Sequence, residues 1–289
     1  MSEMITSPQN DHVKHLAALQ KDGKLRNQHR HFLVEGPRFV EAALAGSARV
    51  EELVYSPNLA GEDHPLEKLA RAKGVKVTLL SKDCYKKVAD VKTPQGLAAL
   101  VAFPEHDLDE VLGGTGPEEQ GSRGWGLGAG TETRDPSPET RRSLFLLACG
   151  IQDPGNLGTM IRTADAAGAS AVLVVRPAAD IYNSKVVRST AGSILNLPVV
   201  SASEAEILAA LQKAKVRLVL AEARAGDDCR KADWSRPVAV AVGAEAAGFS
   251  PGVRAAAAGT VNIPMWGKAE SLNAATAAAL CLYAARWGT

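Results

Sequence analysis

Val238-Ala239-Val240-Ala241-Val242-Gly243-Ala244-Glu245-Ala246-Ala247-Gly248 begins with five apolar residues and turns on a glycine. Such a run reads as a buried strand. Glycine at its end lets backbone approach a ligand closely. Outward from this strand, the second half of the chain alternates in the same way. Strands are expected at 144–149, 171–175, 217–221, 238–242 and 260–263. Helical spacing of apolar residues follows at 157–167, 184–191, 205–213, 252–257 and 271–286. Strands alternating with helices predict an α/β fold whose mostly parallel sheet is covered on both faces. Ligands in such sheets sit outside the carboxyl ends of the strands.

The first half is also α/β, and smaller. Strands are expected at 31–34, 52–55, 76–80 and 96–103, with helices at 37–44, 65–73 and 82–88. The chain therefore divides into residues 1–103, a linker at 104–142, and 143–289. The linker assignment rests on Gly113-Gly114-Thr115-Gly116-Pro117, on Gly124-Trp125-Gly126-Leu127-Gly128-Ala129-Gly130, and on a Pro/Ser/Thr-rich, charged run over 134–142. Such a segment buries too little surface to offset its ordering entropy.

Bulk properties bound the function. The chain is 46% apolar over 289 residues, enough for a sizeable core. No apolar stretch reaches the ~18 residues of a membrane span. The first ten residues lack a signal-peptide pattern. Four scattered cysteines without a CxxC pair fit reduced, mostly buried thiols in the cytoplasm. The formal net charge of +1 hides an uneven distribution. Lys+Arg against Asp+Glu is 15 to 12 over 1–103, 4 to 9 over 104–142, and 14 to 11 over 143–289. That balance permits nucleic-acid binding without arguing for it. The cluster Lys14, Lys21, Lys24, Arg26 and Arg30, with His12, His15 and His29 alongside, is more suggestive, although by itself it reads as a solvated helix face.

Three stretches carry chemistry, and each follows an expected strand. The first is Gly150-Ile151-Gln152-Asp153-Pro154-Gly155-Asn156, strong turn chemistry. It leads into Leu157-Gly158-Thr159-Met160-Ile161-Arg162-Thr163-Ala164-Asp165-Ala166, with Asn156 as a candidate N-cap. The second is the strand and GxExxG quoted above. The third is Ile263-Pro264-Met265-Trp266-Gly267-Lys268-Ala269-Glu270-Ser271-Leu272-Asn273 running into an Ala-rich helix. Taken singly, each reads as a capped helix or a turn. A fourth stretch, Ser184-Lys185-Val186-Val187-Arg188, is basic and helical.

Together and in this order the three resemble the signature motifs of the SpoU (TrmH) family of RNA ribose 2'-O-methyltransferases, in the SPOUT superfamily. The third motif is the most specific; its local departure is Ala274, where many members have Val. Ile5-Thr6-Ser7-Pro8-Gln9-Asn10, Phe32-Leu33-Val34-Glu35-Gly36-Pro37-Arg38 and Pro94-Gln95-Gly96 resemble, more weakly, the family's L30e-like substrate-binding domain. The resemblance implies a C-terminal SPOUT domain with a trefoil knot, a homodimer formed through the knot region, S-adenosylmethionine as cofactor and RNA as substrate. Ribosomal RNA is favoured over transfer RNA. It implies a cofactor site at Leu220, Ala221, Glu222, Gly243, Ile263, Met265, Ser271 and Leu272. The implied catalytic group is Asn156, Arg162, Glu245, Ser271 and Asn273. Candidate RNA contacts are Lys14, Arg26, Arg30, Arg38, Lys185 and Arg188. No metal is expected, and no His/Cys/Asp cluster has ligand spacing. Two other readings compete. One is a non-catalytic RNA-binding or ribosome-assembly protein of this fold. The other is a nucleotide enzyme, disfavoured because Gly155-Asn156-Leu157-Gly158 lacks the third glycine and the Lys-Ser/Thr of phosphate-binding loops.

Overall fold

The computed structural model describes residues 3–113, 144–235, 237–244 and 248–288. The described chain forms two compact units. One comprises Met1–Glu105, Ile151–Thr163 and Pro177–Val199; the other His106–Gly150, Ala164–Arg176 and Val200–Thr289.

The first unit is built on a four-stranded sheet of β1 (His31–Glu35), β2 (Val50–Tyr55), β3 (Lys76–Leu79) and β4 (Leu97–Ala102), in the order β1-β4-β2-β3. β4 runs antiparallel to both neighbours, and β2 and β3 are parallel. Helices α1 (Asp11–Lys21) and α2 (Gly23–His29) precede the sheet and carry most of the basic cluster that reads as a helix face. Each has a side-chain cap. Asn10 accepts from the His12 N–H, and Asp22 accepts from the Lys24 and Leu25 N–H groups. Val13, Leu16 and Leu19 of α1 bury one face against Leu33, Val54, Ala98 and Leu100 of the sheet. They join there Cys84, Tyr85 and Val88 of α6 (Lys82–Val88). Helices α3 (Pro37–Ala45), α4 (Pro57–Ala60) and α5 (Pro65–Ala72) complete this region.

The segment 177–199 is fastened to that sheet. Arg26 donates to Asp180 at 2.6 and 3.1 Å and to the Leu19 carbonyl at 2.5 Å. Tyr182 stacks on Phe103 with centroids 3.9 Å apart and lies 4.7 Å from Phe32. Helix α8 (Pro154–Ala166) meets α9 (Ser184–Ser189) at Gly158. A Cβ at Gly158 would fall 2.4 Å from the Ser189 Cβ and 2.6 Å from the Val186 carbonyl oxygen, so this crossing requires glycine.

The second unit holds a seven-stranded sheet of β5 (Leu144–Cys149), β6 (Ala171–Val175), β7 (Val199–Ala202), β8 (Arg217–Ala221), β9 (Asp227–Asp228), β10 (Val238–Gly243) and β11 (Gly259–Asn262). Their order is β7-β6-β5-β10-β8-β11-β9. Every pairing from β6 across to β9 is parallel. Alternate residues such as Phe145, Leu147, Ala239 and Ala241 pack with Ile207 and Leu211 of α10 (Glu204–Lys213) and Val253 of α11 (Pro251–Ala256). The Ala-rich α12 (Ala274–Trp287) packs on β5, β8 and β10, burying Ala278, Cys281, Leu282 and Ala285. Both strand faces are covered, which explains why these strands read as unbroken apolar runs.

The stretch 104–142, expected to be linker, contains helix α7 (Leu108–Gly113). Its Leu112 is buried in the second unit's core, with Leu108 and Val111 packed against that core. Asp107 caps it, and Asp109 pairs with Lys213 of α10 at 2.5 Å. The spacing 108, 111, 112 was the available helical signal, overshadowed by the glycines that follow. The Gly-rich remainder lies outside the described residues. All four cysteines are free and buried.

Candidate active site

The parallel sheet ends in three loops that enclose a cavity of about 180 Å³ within the second unit. Ala221, Glu222 and Ala223 leave β8 on one side. Val242, Gly243 and Ala244, then Gly248 and Phe249, follow β10. Ile263, Met265, Ser271 and Leu272 follow β11, and Ala274 and Ala277 of α12 close the wall. All lie at carboxyl ends of parallel strands or directly beyond, where a ligand site belongs in this architecture. Seven of the eight residues expected to hold a cofactor line this one cavity. The eighth, Leu220, is a buried residue of β8 pointing into the core.

Backbone geometry fixes the shape. The Ala244 N–H donates to the Cys149 carbonyl at 3.1 Å, and the Gly248 N–H donates to the Ala244 carbonyl at 2.9 Å. The second motif therefore folds back on itself beyond β10. A Cβ on Gly243 would sit 2.8 Å from the Gly248 oxygen and 3.1 Å from its carbonyl carbon. Glycine is required there by a close approach of backbone to backbone. The Glu222 N–H donates to the Val261 carbonyl at 2.9 Å, tying the first wall to β11. Asn273 caps α12, its Oδ1 accepting from the Ala275 N–H at 2.9 Å and the Thr276 N–H at 3.3 Å. This cap fixes the turn that presents Ser271 and Leu272.

The lining is mostly apolar with one carboxylate. Glu222 is paired at 2.6 Å with Arg254 of α11, whose guanidinium also lies 5.9 Å from the Phe249 ring centre. Arg254 thus touches groups on two of the three walls. Neither Phe249 nor Arg254 had been singled out from the sequence. Their relation to Glu222 spans about thirty residues, and no local spacing encodes it. The Cys149 thiol at the end of β5 is pushed up to about 12 by burial, with the Glu204 charge adding to this, which favours the neutral thiol. Among the described residues no group of His, Cys, Asp and Glu could hold a metal ion.

Residues 151–163 of the first motif, Asn156 and Arg162 among them, belong to the other unit. The motif's helix α8 begins at Pro154, three residues before the expected start. Asp153, rather than Asn156, is the cap. Its Oδ1 accepts from the Asn156 N–H at 2.8 Å, and its carbonyl accepts from the Leu157 N–H at 3.1 Å. Proline at the first helical position after an Asp cap accounts for the shift. Asn156 is half-buried on the first turn, and Arg162 is exposed two turns later. Glu245 lies outside the described residues.

The expected RNA contacts separate into two groups. Lys14, Arg38 and Lys185 are exposed; Lys14 lies 3.3 Å from Asp11 in an i,i+3 contact, and Lys185 lies 3.7 Å from Asp153. Arg26 is 2% exposed and held by Asp180 and the Leu19 carbonyl, so it is a structural residue and not an RNA contact. Arg30 terminates α2 in the left-handed region, its guanidinium 5.0 Å from the Phe103 ring centre. Arg188 is paired with Asp90 at 2.6 Å, and Ser184 donates to the same carboxylate at 2.6 Å. That network holds the Asp90 carboxyl below its ordinary value despite partial burial.

Residues 143–283 match the profile of the SpoU rRNA Methylase family, and residues 10–99 match that of the MRM3-like substrate binding domain. Over 281 residues the chain is 31% identical to the 23S rRNA (guanosine(2553)-2'-O)-methyltransferase RlmP of Bacillus subtilis, covering 97% of this chain and 98% of that one. The chain belongs to the SpoU methylase family. It is also 30% identical to the 23S rRNA (uridine(2479)-2'-O)-methyltransferase of Streptomyces viridochromogenes, covering 93% of this chain and 86% of that one. Among solved structures, the AdoMet-bound rRNA methyltransferase from Sinorhizobium meliloti superposes with a TM-score of 0.80 at 28% identity, covering 99% of this chain and 98% of that one. The SpoU methyltransferase AviRb from Streptomyces viridochromogenes, in complex with AdoMet, gives 0.78 at 29% identity, covering 96% and 98%.

Proposed function

We propose that this SpoU-family chain transfers a methyl group from S-adenosylmethionine to a ribose 2'-hydroxyl of large-subunit ribosomal RNA. The observation that carries the reading is the cavity formed by the second and third motifs at the strand ends. Its apolar walls and the close backbone approach at Gly243 suit a flat purine edge held by main-chain groups. Glu222 supplies a carboxylate able to accept hydrogen bonds from ribose hydroxyls. The relatives named as 23S rRNA 2'-O-methyltransferases match over nearly the whole chain, which favours ribosomal over transfer RNA.

The cofactor supplies a methyl group already activated on a sulfonium. The chain's own residues must then bring the 2'-oxygen in line with it and help remove the hydroxyl proton. Ser271 and Leu272 hold one wall of the cavity, and Asn273 fixes their turn by capping α12. Arg162 orients the substrate by binding an RNA phosphate. An arginine side chain keeps its proton at working pH, and its planar fork matches phosphate oxygens. Asn156 and Glu245 complete the catalytic group. Residues 1–103 serve as the RNA reader, with Lys14 and Arg38 on phosphates, and Lys185 of α9 adds a further phosphate contact. The chain works in the cytoplasm as a homodimer through its knotted C-terminal region. The exposed Leu280 and Trp287 on α12, 43% and 78% accessible, support that association.

Titration calorimetry with S-adenosylmethionine, followed by mapping of 2'-O-methyl positions in ribosomal RNA from cells with and without the protein, tests the reading. Saturable cofactor binding and one lost methyl position are expected. No cofactor binding would favour a non-catalytic ribosome-assembly role.

A further inference from the structure

Trp266 has 83% of its surface exposed, the most of any large apolar residue described. It lies in the loop between Met265 and Ser271, both of which line the cofactor cavity. A lone exposed apolar side chain needs no explanation, but this one is not isolated. The Arg230 guanidinium lies over the indole, 5.6 Å from the ring centroid. Arg230 is itself held rigidly. Its Nε donates to both Asp228 oxygens at 3.0 and 3.1 Å, and its Nη2 donates to Oδ2 at 2.5 Å. Asp228 belongs to β9, which pairs with β11, so the strand leading to the Trp266 loop is the one that places Arg230 beneath it. Lys268 and Lys231 are on the same two loops, and Arg224 is joined to Glu270 at 3.4 Å.

A flat aromatic face backed by a held guanidinium, with exposed lysines on the same two loops and a methyl-donor cavity adjoining its loop, has the chemistry of a base-stacking platform. RNA is read largely through unstacked bases laid on aromatic rings and arginine planes. We infer that the Trp266 indole, backed by Arg230, stacks an unpaired base of the substrate RNA close to the ribose being methylated. The inference rests on the methyltransferase reading above and extends it. RNA is held not only by the N-terminal region but also by the third-motif loop, so substrate and cofactor share one segment of chain. An indole–base stack of this kind is worth about a five- to hundred-fold change in RNA affinity.

The test compares wild type, Trp266→Ala, Trp266→Phe and Arg230→Ala. Each is measured for affinity toward a 23S ribosomal RNA transcript, for S-adenosylmethionine affinity by calorimetry, and for oligomeric mass by light scattering. The expected result is RNA affinity down at least fivefold in Trp266→Ala, largely restored in Trp266→Phe and partly lost in Arg230→Ala. Cofactor affinity and mass should not change. RNA affinity in Trp266→Ala equal to wild type would overturn the inference. A drop in oligomeric mass would instead assign the indole to a second copy of the chain, and a loss of cofactor affinity would assign it to the cavity wall. Both of those results also reject the stack. Failure of the wild-type protein to bind cofactor or transcript would strike the methyltransferase reading itself, and is thereby distinguished from failure of the platform.

Discussion

Gly243→Ala tests the cavity most directly. The added methyl carbon would stand 2.8 Å from the Gly248 oxygen, 3.1 Å from the Gly248 carbonyl carbon and 3.4 Å from a Phe249 ring carbon. Ordinary contact begins near 3.4 Å, so the wall at Gly248 must retreat by about 0.6 Å. The atoms in the way are backbone, and the Gly248 N–H is bonded to the Ala244 carbonyl, so no side-chain rotation relieves the clash. Overpacking of this kind costs about 1–3 kcal/mol. Gly243, Gly248 and Phe249 all line the cavity, so the displacement changes its shape as well as the stability. If most of that cost appears in binding, the S-adenosylmethionine dissociation constant rises about five- to hundred-fold. Calorimetric titration and a thermal melt measure the two parts. Gly259→Ala is the control, because nothing lies within 4 Å of the Cβ it would add. Gly243→Ala binding cofactor within twofold of wild type, at an unchanged melting temperature, would refute the argument that backbone contact at Gly243 shapes the site.

Other expectations follow from single contacts. Arg26→Ala should destabilise the protein by about 3 kcal/mol in urea unfolding, at the lower end for a broken buried pair because Asp180 keeps 31% of its side-chain surface in water; a change below about 0.5 kcal/mol would place Arg26 among ordinary surface residues. Glu52 is pulled two ways. Burial pushes its carboxyl up, but hydrogen bonds from His12 and Thr78 and the charges of His12 and Lys76 outweigh that, and the net direction is down from 4.5. A depressed folded value means stability that is present above 4.5 and lost as pH falls through the folded value. Unfolding curves from neutral pH to below 4.5 should therefore show a flatter acid limb in Glu52→Gln than in wild type, and an identical limb would contradict it. Arg162→Ala should abolish methyl transfer with cofactor affinity nearly intact. Arg162→Lys retaining near-normal turnover would show that a point charge suffices and that the guanidinium fork is not needed.

What could be read from the sequence was whatever is local. Unbroken apolar runs such as 144–149 and 238–242 gave the strands, because strands covered on both faces need no polar residues. The Ala-rich run after Ser271-Leu272-Asn273 put the expected helix start at 271, three residues before α12 begins at Ala274. The family motifs then supplied a reaction that no periodicity contains. Of α1 and α2 only the basic face was legible, because a charged, His-rich surface hides the short stripe Val13-Leu16-Leu19. Helix α7 escaped because its one turn of apolar spacing abuts a glycine-rich stretch.

Charge without position was the weakest guide. Arg26 stands in a basic cluster that reads as one solvated face, yet it is buried on Asp180, more than 150 residues away in the chain. The sequence by itself determined the α/β class, the strand ends where a ligand would sit, and the glycine that closes β10. Only the tertiary structure decided which of those positions meet. Seven residues from three loops close on one cavity, Arg254 reaches Glu222 from another element, and Arg230 is laid under Trp266. The physical reason is that caps, turns and strand periodicity act over a few residues. Ion pairs, stacking and cavity walls depend on parallel strand order, which brings together residues that no local pattern links.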